Sequence, residues 1–191
     1  MLRSEFLQWR LNKTPLWNIP KRNWLLKRIL GSIDGKPYSV ISPFHVQQGN
    51  NTHIGKNFFA NYNCCILDHL DVYIGDNVLI APNVSILSVS HPLLAKERIV
   101  HSMQNCFEPL GRGNWEVDRP VRIGNNVWLA TGCVICPGVT IGDNSVIGAN
   151  SVVTKDIPPN VLAYGVPCRV IREISESDYI GVEKWEEKQN V

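Results

Sequence analysis

His91 is the residue of this chain whose type is best suited to acid–base chemistry. Histidine changes protonation near neutral pH, so it can take a proton from an attacking group and return it to a leaving group. His91 stands directly before Pro92, where a regular sequence pattern stops. The residues alone leave two interpretations open: a general base, or a surface histidine without a function.

The cysteines are a second candidate for chemistry, at positions 64, 65, 106, 133, 136 and 168. Cys133 and Cys136 form a C-x-x-C, a spacing used in redox and metal sites. Both occupy positions of a repeat that elsewhere hold small residues such as Gly142 and Ser145. The sequence therefore favours small packing residues in a reducing compartment, without a disulfide framework.

The five histidines show no metal-binding pattern. A zinc enzyme on a repetitive fold would need three imidazoles that converge on one ion. No common spacing within the repeat relates the five, which are His45, His53, His69, His91 and His101. The sequence predicts no metal site.

A six-residue repeat sets the positions of these side chains. From residue 123 to 153 every sixth residue is a branched aliphatic, and the residue after it is small. The third residue after it is Gly, Asn or Asp, the types that most easily adopt left-handed backbone conformations. The aliphatic residues are Ile123, Leu129, Ile135, Ile141, Ile147 and Val153, and the predicted corner residues are Asn126, Gly132, Gly138, Asn144, Asn150 and Asp156. This pattern predicts a parallel β-helix.

The repeat also runs earlier in the chain, with a slip of two residues. One register holds Ile54, Ala60, Ile66 and Val72, and a second holds Ile74, Ile80 and Ile86. Asn57, Asn63, Asn77 and Asn83 occupy its corners. The pattern stops from Pro92 to Pro120, which predicts a loop that leaves the β-helix, and long loops in compact domains are often functional.

Alternation along each short strand predicts which side chains point outward. The aliphatic position and the fourth residue beyond it, such as Val127 or Ser145, point inward. The last position of each six-residue unit points outward. His91 holds that last position in the unit that begins at Ile86, so it is predicted to face outward at the foot of the long loop. Trp128 is also predicted to face outward.

Composition limits the class of protein. The chain has 191 residues, a net charge of +2 and 44% hydrophobic residues, which fit one domain and not a dedicated nucleic-acid binder. A membrane-spanning helix needs a run of about 18 or more apolar residues, and the sequence has none. The N-terminus lacks the apolar centre of a signal peptide, so a cytoplasmic location is expected.

Two flanking segments complete the predicted organisation. Residues 1–40 hold two helix-like stretches, 4–12 and 21–30, the second of them basic. We expect short helices that pack on the β-helix, and contact with a membrane surface or an anionic substrate is the alternative. The β-helix domain is predicted at 41–174 with its loop at 92–120, and residues 175–191 form a C-terminal tail with a helix at 175–188.

Several motifs resemble the galactoside and maltose O-acetyltransferases. They are NFFANYN at 57–63, IGDNVLIAPNV at 74–84, SHP at 90–92, IGNNVW at 123–128, PGVTIGDNSVIGA at 137–149, VTKDIP at 153–158 and GVPCRVIR at 165–172. The resemblance implies an all-β fold, a left-handed parallel β-helix with an extruded loop and short flanking helices. It also implies a homotrimer with active sites between subunits, acetyl-CoA as donor and a sugar hydroxyl as acceptor.

The resemblance assigns roles to individual residues. His91 matches the catalytic histidine, and the backbone N–H of Thr131 is the candidate donor to the developing oxyanion. Asn61 matches an acceptor contact. The cofactor candidates are Thr131, Ala149, Thr154 and Lys155 along the coenzyme A cleft, with Arg169 and Arg172 near its phosphates. Trp128 is expected to line the pantetheine tunnel or to pack between subunits.

Three departures from the family pattern lie on the acceptor side. The first fifty residues differ, the loop at 92–120 is longer, and His69 stands where relatives commonly carry an acidic acceptor contact. Asp68 is therefore a second candidate acceptor contact. Two further functions stay open: acetylation of an antibiotic or an amino sugar, and a non-catalytic β-helix scaffold or binding module.

Overall fold

The structure, a computed structural model, describes residues 2–35, 38–98 and 116–181. Its helices are α1 (Leu2–Lys13), α2 (Ile19–Ile29) and α3 (Ala95–Arg98), with a 3₁₀ turn at Glu176–Asp178. The two predicted N-terminal helices are confirmed. None of the helices in these ranges has the length and apolar character needed to cross a bilayer.

Short strands stack into three sheets, one on each side of a coiled chain. In chain order the strands are β1 (Ser32–Ile33), β2 (Tyr38–Val40), β3 (Phe44–Val46), β4 (Thr52–Ile54), β5 (Phe58–Ala60), β6 (Cys64–Leu67), β7 (Val72–Ile74), β8 (Leu79–Ile80), β9 (Ser85–Leu87), β10 (Val121–Ile123), β11 (Trp128–Leu129), β12 (Val134–Ile135), β13 (Thr140–Ile141), β14 (Val146–Ile147), β15 (Val152–Val153), β16 (Val161–Gly165) and β17 (Cys168–Glu173).

As far as β15 each sheet takes every third strand, which is the topology of a β-helix, and β16 and β17 are then added to sheet 2. Sheet 1 has the order β1-β4-β7-β10-β13, sheet 3 has β15-β12-β9-β6-β3, and sheet 2 has β17-β16-β14-β11-β8-β5-β2. All pairs are parallel except β16 with β17, which closes sheet 2 with an antiparallel strand. Pairing begins at Ser32 with His53, ahead of the predicted domain boundary at residue 41.

The predicted inward positions form the core. Every aliphatic residue of the repeat is buried, from Ile54 to Val153, and so are the second inward positions, including Val127, Cys133 and Ser145. Ile86, Ile135 and Val153 stack directly on one another in sheet 3. One coil is twenty residues long from Ile54 to its partner Ile74, but only eighteen from Ile123 to its partner Ile141. The two additional residues of the earlier coil lie in the turn between β6 and β7.

The corners use left-handed backbone as predicted, with one exception. Positive φ angles occur at all the predicted Asn and Gly corners, namely Asn57, Asn63, Asn77, Asn83, Asn126, Gly132, Gly138, Asn144 and Asn150. Asp156 is not among the positive-φ residues, so that expectation was wrong. Its carboxylate Oδ1 instead accepts a hydrogen bond from Thr140 N at 2.8 Å, which links this turn to the preceding coil.

The asparagine corners are linked by their side chains. Asn77 donates through Nδ2 to Asn126 Oδ1 at 2.8 Å, and Asn126 donates to Asn144 Oδ1 at 2.7 Å. The ladder continues to Asn57 at one end and Asn160 at the other. Asparagine therefore serves twice, by adopting positive φ and by joining successive coils.

The N-terminal helices close one end of the coil. Leu11, Leu25 and Ile29 are buried in the same core as the strands. The guanidinium of Arg22 lies beneath them and donates to the carbonyl oxygens of Leu11, Thr14 and Val40. Burial lowers the pKa of Arg22. Of the predicted helix at 175–188, the structure shows only the 3₁₀ turn, and residues 182–191 lie outside the described part.

Two substitutions at Asn126 separate its two roles. Asn126→Gly keeps a residue that accepts positive φ and removes the ladder bonds, whereas Asn126→Ala also imposes left-handed backbone on a residue that disfavours it. We expect the Ala variant to lose about 1 kcal/mol more unfolding free energy than the Gly variant. Urea unfolding of both measures this, and equal losses would show that backbone conformation at this corner is unimportant.

Candidate active site

His91 lies at the corner that leads from sheet 3 to sheet 1, at the start of the long excursion from the β-helix. The turns of this His91 corner are residues 68–71, 88–91, 136–139 and 154–156. The imidazole is exposed, as predicted, while Ile86 of the same coil is fully buried. It opens on a cleft of about 290 Å³, which is lined by Ser90, His91, Pro92, Leu93, Val117, Arg119 and Pro137.

The far end of the excursion returns alongside His91. Ser90 and Val117 exchange both backbone hydrogen bonds, with N···O distances of 3.2 and 2.8 Å, and Arg119 N donates to Ser88 O at 2.9 Å. This antiparallel pairing brings Val117 and Arg119 into the cleft. Residues 99–115 of the predicted loop, with His101 and Cys106, lie outside the described residues.

The candidate cofactor residues border sheet 3 on both sides. Thr154 and Lys155 are exposed at the His91 corner. Thr131 and Ala149 are exposed at the opposite edge, where the chain passes from sheet 2 to sheet 3, and Asn150 N donates to Thr131 O at 2.7 Å between the two turns. The four side chains therefore flank one face instead of forming one cluster within the chain.

Arg169 and Arg172 both lie exposed on β17, the antiparallel strand that ends sheet 2. Arg172 forms a bidentate ion pair with Asp178, with N···O distances of 2.8 and 2.6 Å. This pair raises the pKa of Arg172 and lowers the pKa of Asp178 to about 2. The guanidinium of Arg172 is thereby oriented, while that of Arg169 donates only to the carbonyl of Cys168 among the described residues.

Asn61 lies at the other edge of sheet 3 from His91. It belongs to the corner from sheet 2 to sheet 3, here called the Asn61 corner, whose turns are residues 61–63, 81–84, 130–133 and 148–151. Its Oδ1 accepts a hydrogen bond from Tyr62 N at 2.9 Å. Within one chain, Asn61 and Thr131 share this corner and His91 lies at the next one.

An apolar column runs along the outside of sheet 2. Trp128 points outward as predicted and is 48% exposed, and Leu79 beside it is 49% exposed. The column stacks one residue per coil, in the order Phe59, Leu79, Trp128, Val146 and Leu162. Trp128 and Leu79 are thus two adjacent exposed apolar side chains, flanked by partly buried Phe59, Val146 and Leu162.

Comparisons with known proteins show which family the chain belongs to. The family model for the bacterial transferase hexapeptide (six repeats) matches residues 120–155. The galactoside O-acetyltransferase of Escherichia coli (strain K12) is 48% identical over 178 residues, which cover 93% of this chain and 80% of that protein. This degree of identity along nearly the whole chain decides the family.

The chain belongs to the galactoside and maltose O-acetyltransferase family.

Solved structures of the family superpose closely on this chain. A galactoside acetyltransferase in complex with coenzyme A gives a TM-score of 0.84 at 46% identity, over 94% of this chain and 84% of that one. A maltose O-acetyltransferase from Clostridium difficile 630 gives 0.81 at 45% identity, over 91% and 86%. These matches confirm the predicted parallel β-helix, with the hand of the coil that these relatives share.

The structure contradicts the prediction of Asp68 as an acceptor contact, because this side chain is not accessible. Its side chain is fully buried in the two-residue slip between β6 and β7. Oδ1 accepts from Gln48 N at 2.8 Å, and Oδ2 accepts from Gly49 N at 2.7 Å and from Thr52 Oγ1 at 3.1 Å. An acceptor hydroxyl cannot reach a carboxylate that is buried and already accepts three hydrogen bonds, so Asp68 stabilises the turn instead.

His69, the unusual residue beside it, forms a cluster that the spacing of the histidines did not indicate. Its Nδ1 lies 2.7 Å from Glu116 Oε2 and 3.7 Å from Asp118 Oδ2. Both carboxylates belong to the returning end of the excursion. The alternation of residues 116–119 is the only sequence signal for this contact, since Val117 and Arg119 face the His91 cleft and Glu116 and Asp118 face away from it.

The cysteines within the described ranges are free thiols in buried or partly buried positions, as the sequence favoured. Cys133 is fully buried, and its thiol donates to Gly148 O at 3.2 Å. Burial raises the pKa of Cys133 and of Cys136, and it raises the pKa of Cys64 to about 12. Thiols with raised pKa values are poor nucleophiles and poor metal ligands at neutral pH.

Replacing Asp68 tests its structural role. Asp68→Ala leaves the buried N–H of Gly49, the part-buried N–H of Gln48 and the buried hydroxyl of Thr52 without their charged acceptor, so we expect a loss of about 3 kcal/mol in unfolding free energy. The exposed Asp34 is the matched control, and Asp34→Ala is expected to change stability by no more than about 0.5 kcal/mol. If Asp68→Ala instead unfolds in urea as wild type does and has a raised KM for the acceptor, Asp68 contacts the acceptor and the structural role is wrong.

Proposed function

We propose that this protein transfers an acetyl group from acetyl-CoA to a hydroxyl of a sugar or saccharide precursor, with His91 as the general base. The observation that carries the proposal is the position of His91. An exposed imidazole stands in a cleft at the same corner as Thr154 and Lys155, where the excursion leaves the β-helix. Family membership supports the class of reaction.

Acetyl-CoA is supported as donor by the relative that was solved with coenzyme A. On this chain the surface beside His91 offers hydroxyl, backbone and ammonium groups, and β17 adds two exposed guanidinium groups. Guanidinium groups suit phosphate oxygens because they donate two parallel hydrogen bonds. Arg172 already donates through both terminal nitrogens to Asp178, so a phosphate would have to use its remaining N–H groups or displace that carboxylate, whereas Arg169 has no such ion pair among the described residues.

The transfer needs one proton acceptor and one oxyanion donor. His91 takes the proton of the acceptor hydroxyl as its oxygen attacks the thioester carbon. Negative charge then builds on the former carbonyl oxygen, where the backbone N–H of Thr131 donates. When the carbon–sulfur bond breaks, the imidazolium returns the proton to the leaving thiolate. The products are an O-acetyl ester and free coenzyme A.

The transfer is proposed to be direct, without an acetyl-enzyme. Ser90 is the one hydroxyl side chain that lines the described His91 cleft. Its backbone is fixed by pairing with Val117, which gives it a structural reason to be there. The described cysteines have raised pKa values, which suits packing better than nucleophilic attack.

A site between two copies of the chain follows from the separation of the candidates. His91 lies at one edge of sheet 3, and Asn61 and Thr131 lie at the other. A neighbouring copy that presents its Asn61 corner to this His91 corner would complete the site. The apolar column with Trp128 on sheet 2 adjoins the Asn61 corner and supplies a surface for such contact. We propose a homotrimer with one site at each subunit boundary.

Removing the imidazole tests the general base. His91→Ala is expected to lower kcat by at least about a hundredfold, because general-base catalysis contributes that much. The KM for acetyl-CoA is expected to change little, since the imidazole acts on the acceptor hydroxyl. Steady-state release of free thiol measures both constants.

Two controls sharpen this experiment. His45→Ala removes an exposed histidine on the outer side of sheet 3 and should leave kcat unchanged. Ser90→Ala should retain activity within about tenfold, because direct transfer needs no serine nucleophile. An unchanged kcat in His91→Ala would remove His91 from the mechanism, and an inactive Ser90→Ala with an acetylated wild-type protein would replace direct transfer by a two-step route.

Mixing two inactive variants tests the shared site. His91→Ala and Asn61→Ala chains are unfolded together and refolded at equal amounts, so that mixed oligomers form. If each site takes His91 from one copy and Asn61 from the next, about a quarter of the sites receive both intact residues. We therefore expect roughly a quarter of wild-type activity to return. Each variant refolded alone is the control, and no recovery in the mixture would place both residues of a site on one chain.

A further inference from the structure

His69, Glu116 and Asp118 are the one group of three metal-ligating side chains that converge within the described ranges. One imidazole nitrogen and two carboxylate oxygens lie within 4.8 Å of one another. The three come from distant parts of the sequence, the turn after β6 and the return of the excursion. Nothing in the acetyl transfer proposed above uses them.

The spacing of the three ligand atoms suits one small divalent ion. Tetrahedral zinc at ordinary bond lengths separates its ligand atoms by about 3.3 Å. The His69 Nδ1 lies 2.7 Å from Glu116 Oε2 and 3.7 Å from Asp118 Oδ2, values that bracket this separation. Small side-chain rotations would therefore place all three at bonding distance from a common centre.

A separate observation concerns the second oxygen of Asp118. Oδ2 faces His69, whereas Oδ1 is buried and has no hydrogen-bond partner in the described part of the chain, although the Asp118 side chain as a whole is 25% exposed. An unpartnered buried carboxylate oxygen is costly, and such groups commonly indicate an ion or a water. Even with a protonated imidazole the three side chains carry a net negative charge, which a divalent cation with a neutral imidazole would cancel.

We propose that His69, Glu116 and Asp118 bind one divalent transition-metal ion, with Zn²⁺ as the ion that best matches this ligand set. Imidazole and carboxylate together suit Zn²⁺, with Mn²⁺ the nearest competitor. Water completes the coordination. The ion would take the place of the contact between Nδ1 of His69 and the two carboxylates, and the neutral imidazole that binds it carries its proton on Nε2.

The ion would join the excursion to the body of the β-helix. His69 belongs to the coil before that of His91, and Glu116 and Asp118 alternate with the two residues, Val117 and Arg119, that line the His91 cleft. An ion that holds Glu116 and Asp118 against His69 would therefore also hold Val117 and Arg119 in position along the cleft. The role is structural, and its test does not depend on the acetyltransferase activity.

Metal binding by the intact protein is the test. The protein is treated with a chelator, equilibrated with ZnCl₂ and dialysed, and bound zinc is counted by mass spectrometry, with a parallel arm in MnCl₂. Wild type is expected to hold one zinc per chain. Glu116→Gln and Asp118→Asn keep the size of each side chain and are expected to lower zinc affinity at least tenfold. Glu97→Gln, on α3 of the same excursion, is the matched control and should bind as wild type.

Thermal unfolding supplies a second readout. Zinc at a hundredfold excess over its Kd should raise the Tm of wild type and of Glu97→Gln by roughly 5 °C or more, and should not raise that of Glu116→Gln. Zinc bound equally by wild type, Glu116→Gln and Asp118→Asn would place the metal elsewhere and overturn the proposal. If wild type binds neither zinc nor manganese, the proposal is wrong, and the cluster is only an ion pair of His69 with two carboxylates.

Discussion

The stacking of one inward aliphatic side chain on another, coil after coil, determines where every functional group of this protein lies. Ile86, Ile135 and Val153 form such a stack in sheet 3. Because side chains alternate along a strand, a shift of one residue would exchange the buried and exposed sets. The buried stack therefore also fixes that His91 and Thr154 emerge at one corner, and that Thr131 and Ala149 emerge at the other edge of the same sheet.

Variation in this structure is confined to the corners, because the stacked strands leave no room for it. The turn between β6 and β7 takes two additional residues, and Asp68 stabilises that turn by accepting three hydrogen bonds inside it. The turn after β9 becomes the long excursion, whose return pairs with Ser90. Both changes occur at the His91 corner in successive coils. The coils that carry the cofactor candidates stay regular.

Regular features could be predicted from the sequence because they depend on local spacing. The outward direction of His91, the buried aliphatic positions and the left-handed asparagine corners follow from a six-residue period. The prediction of Asp68 as an acceptor contact was wrong. Residue spacing does not show that this carboxylate is buried and accepts hydrogen bonds from Gln48 and Gly49. The contact of His69 with Glu116 depends on how the excursion returns, which no local pattern records. The start of pairing at Ser32 was missed because the sequence around β1 does not keep the six-residue period: the buried Ile33 and Val40 are seven residues apart.

The central claim is that acetyl-CoA gives its acetyl group directly to a saccharide hydroxyl on this protein. Wild-type protein with acetyl-CoA and a panel of saccharides, amino sugars and antibiotics tests it most directly, with free thiol and the mass of each acceptor as readouts. The account predicts thiol release only when a saccharide hydroxyl is present, with one acetyl ester gained by that saccharide. Thiol release at the same rate with and without a saccharide, or acetylation of amines alone, would contradict it.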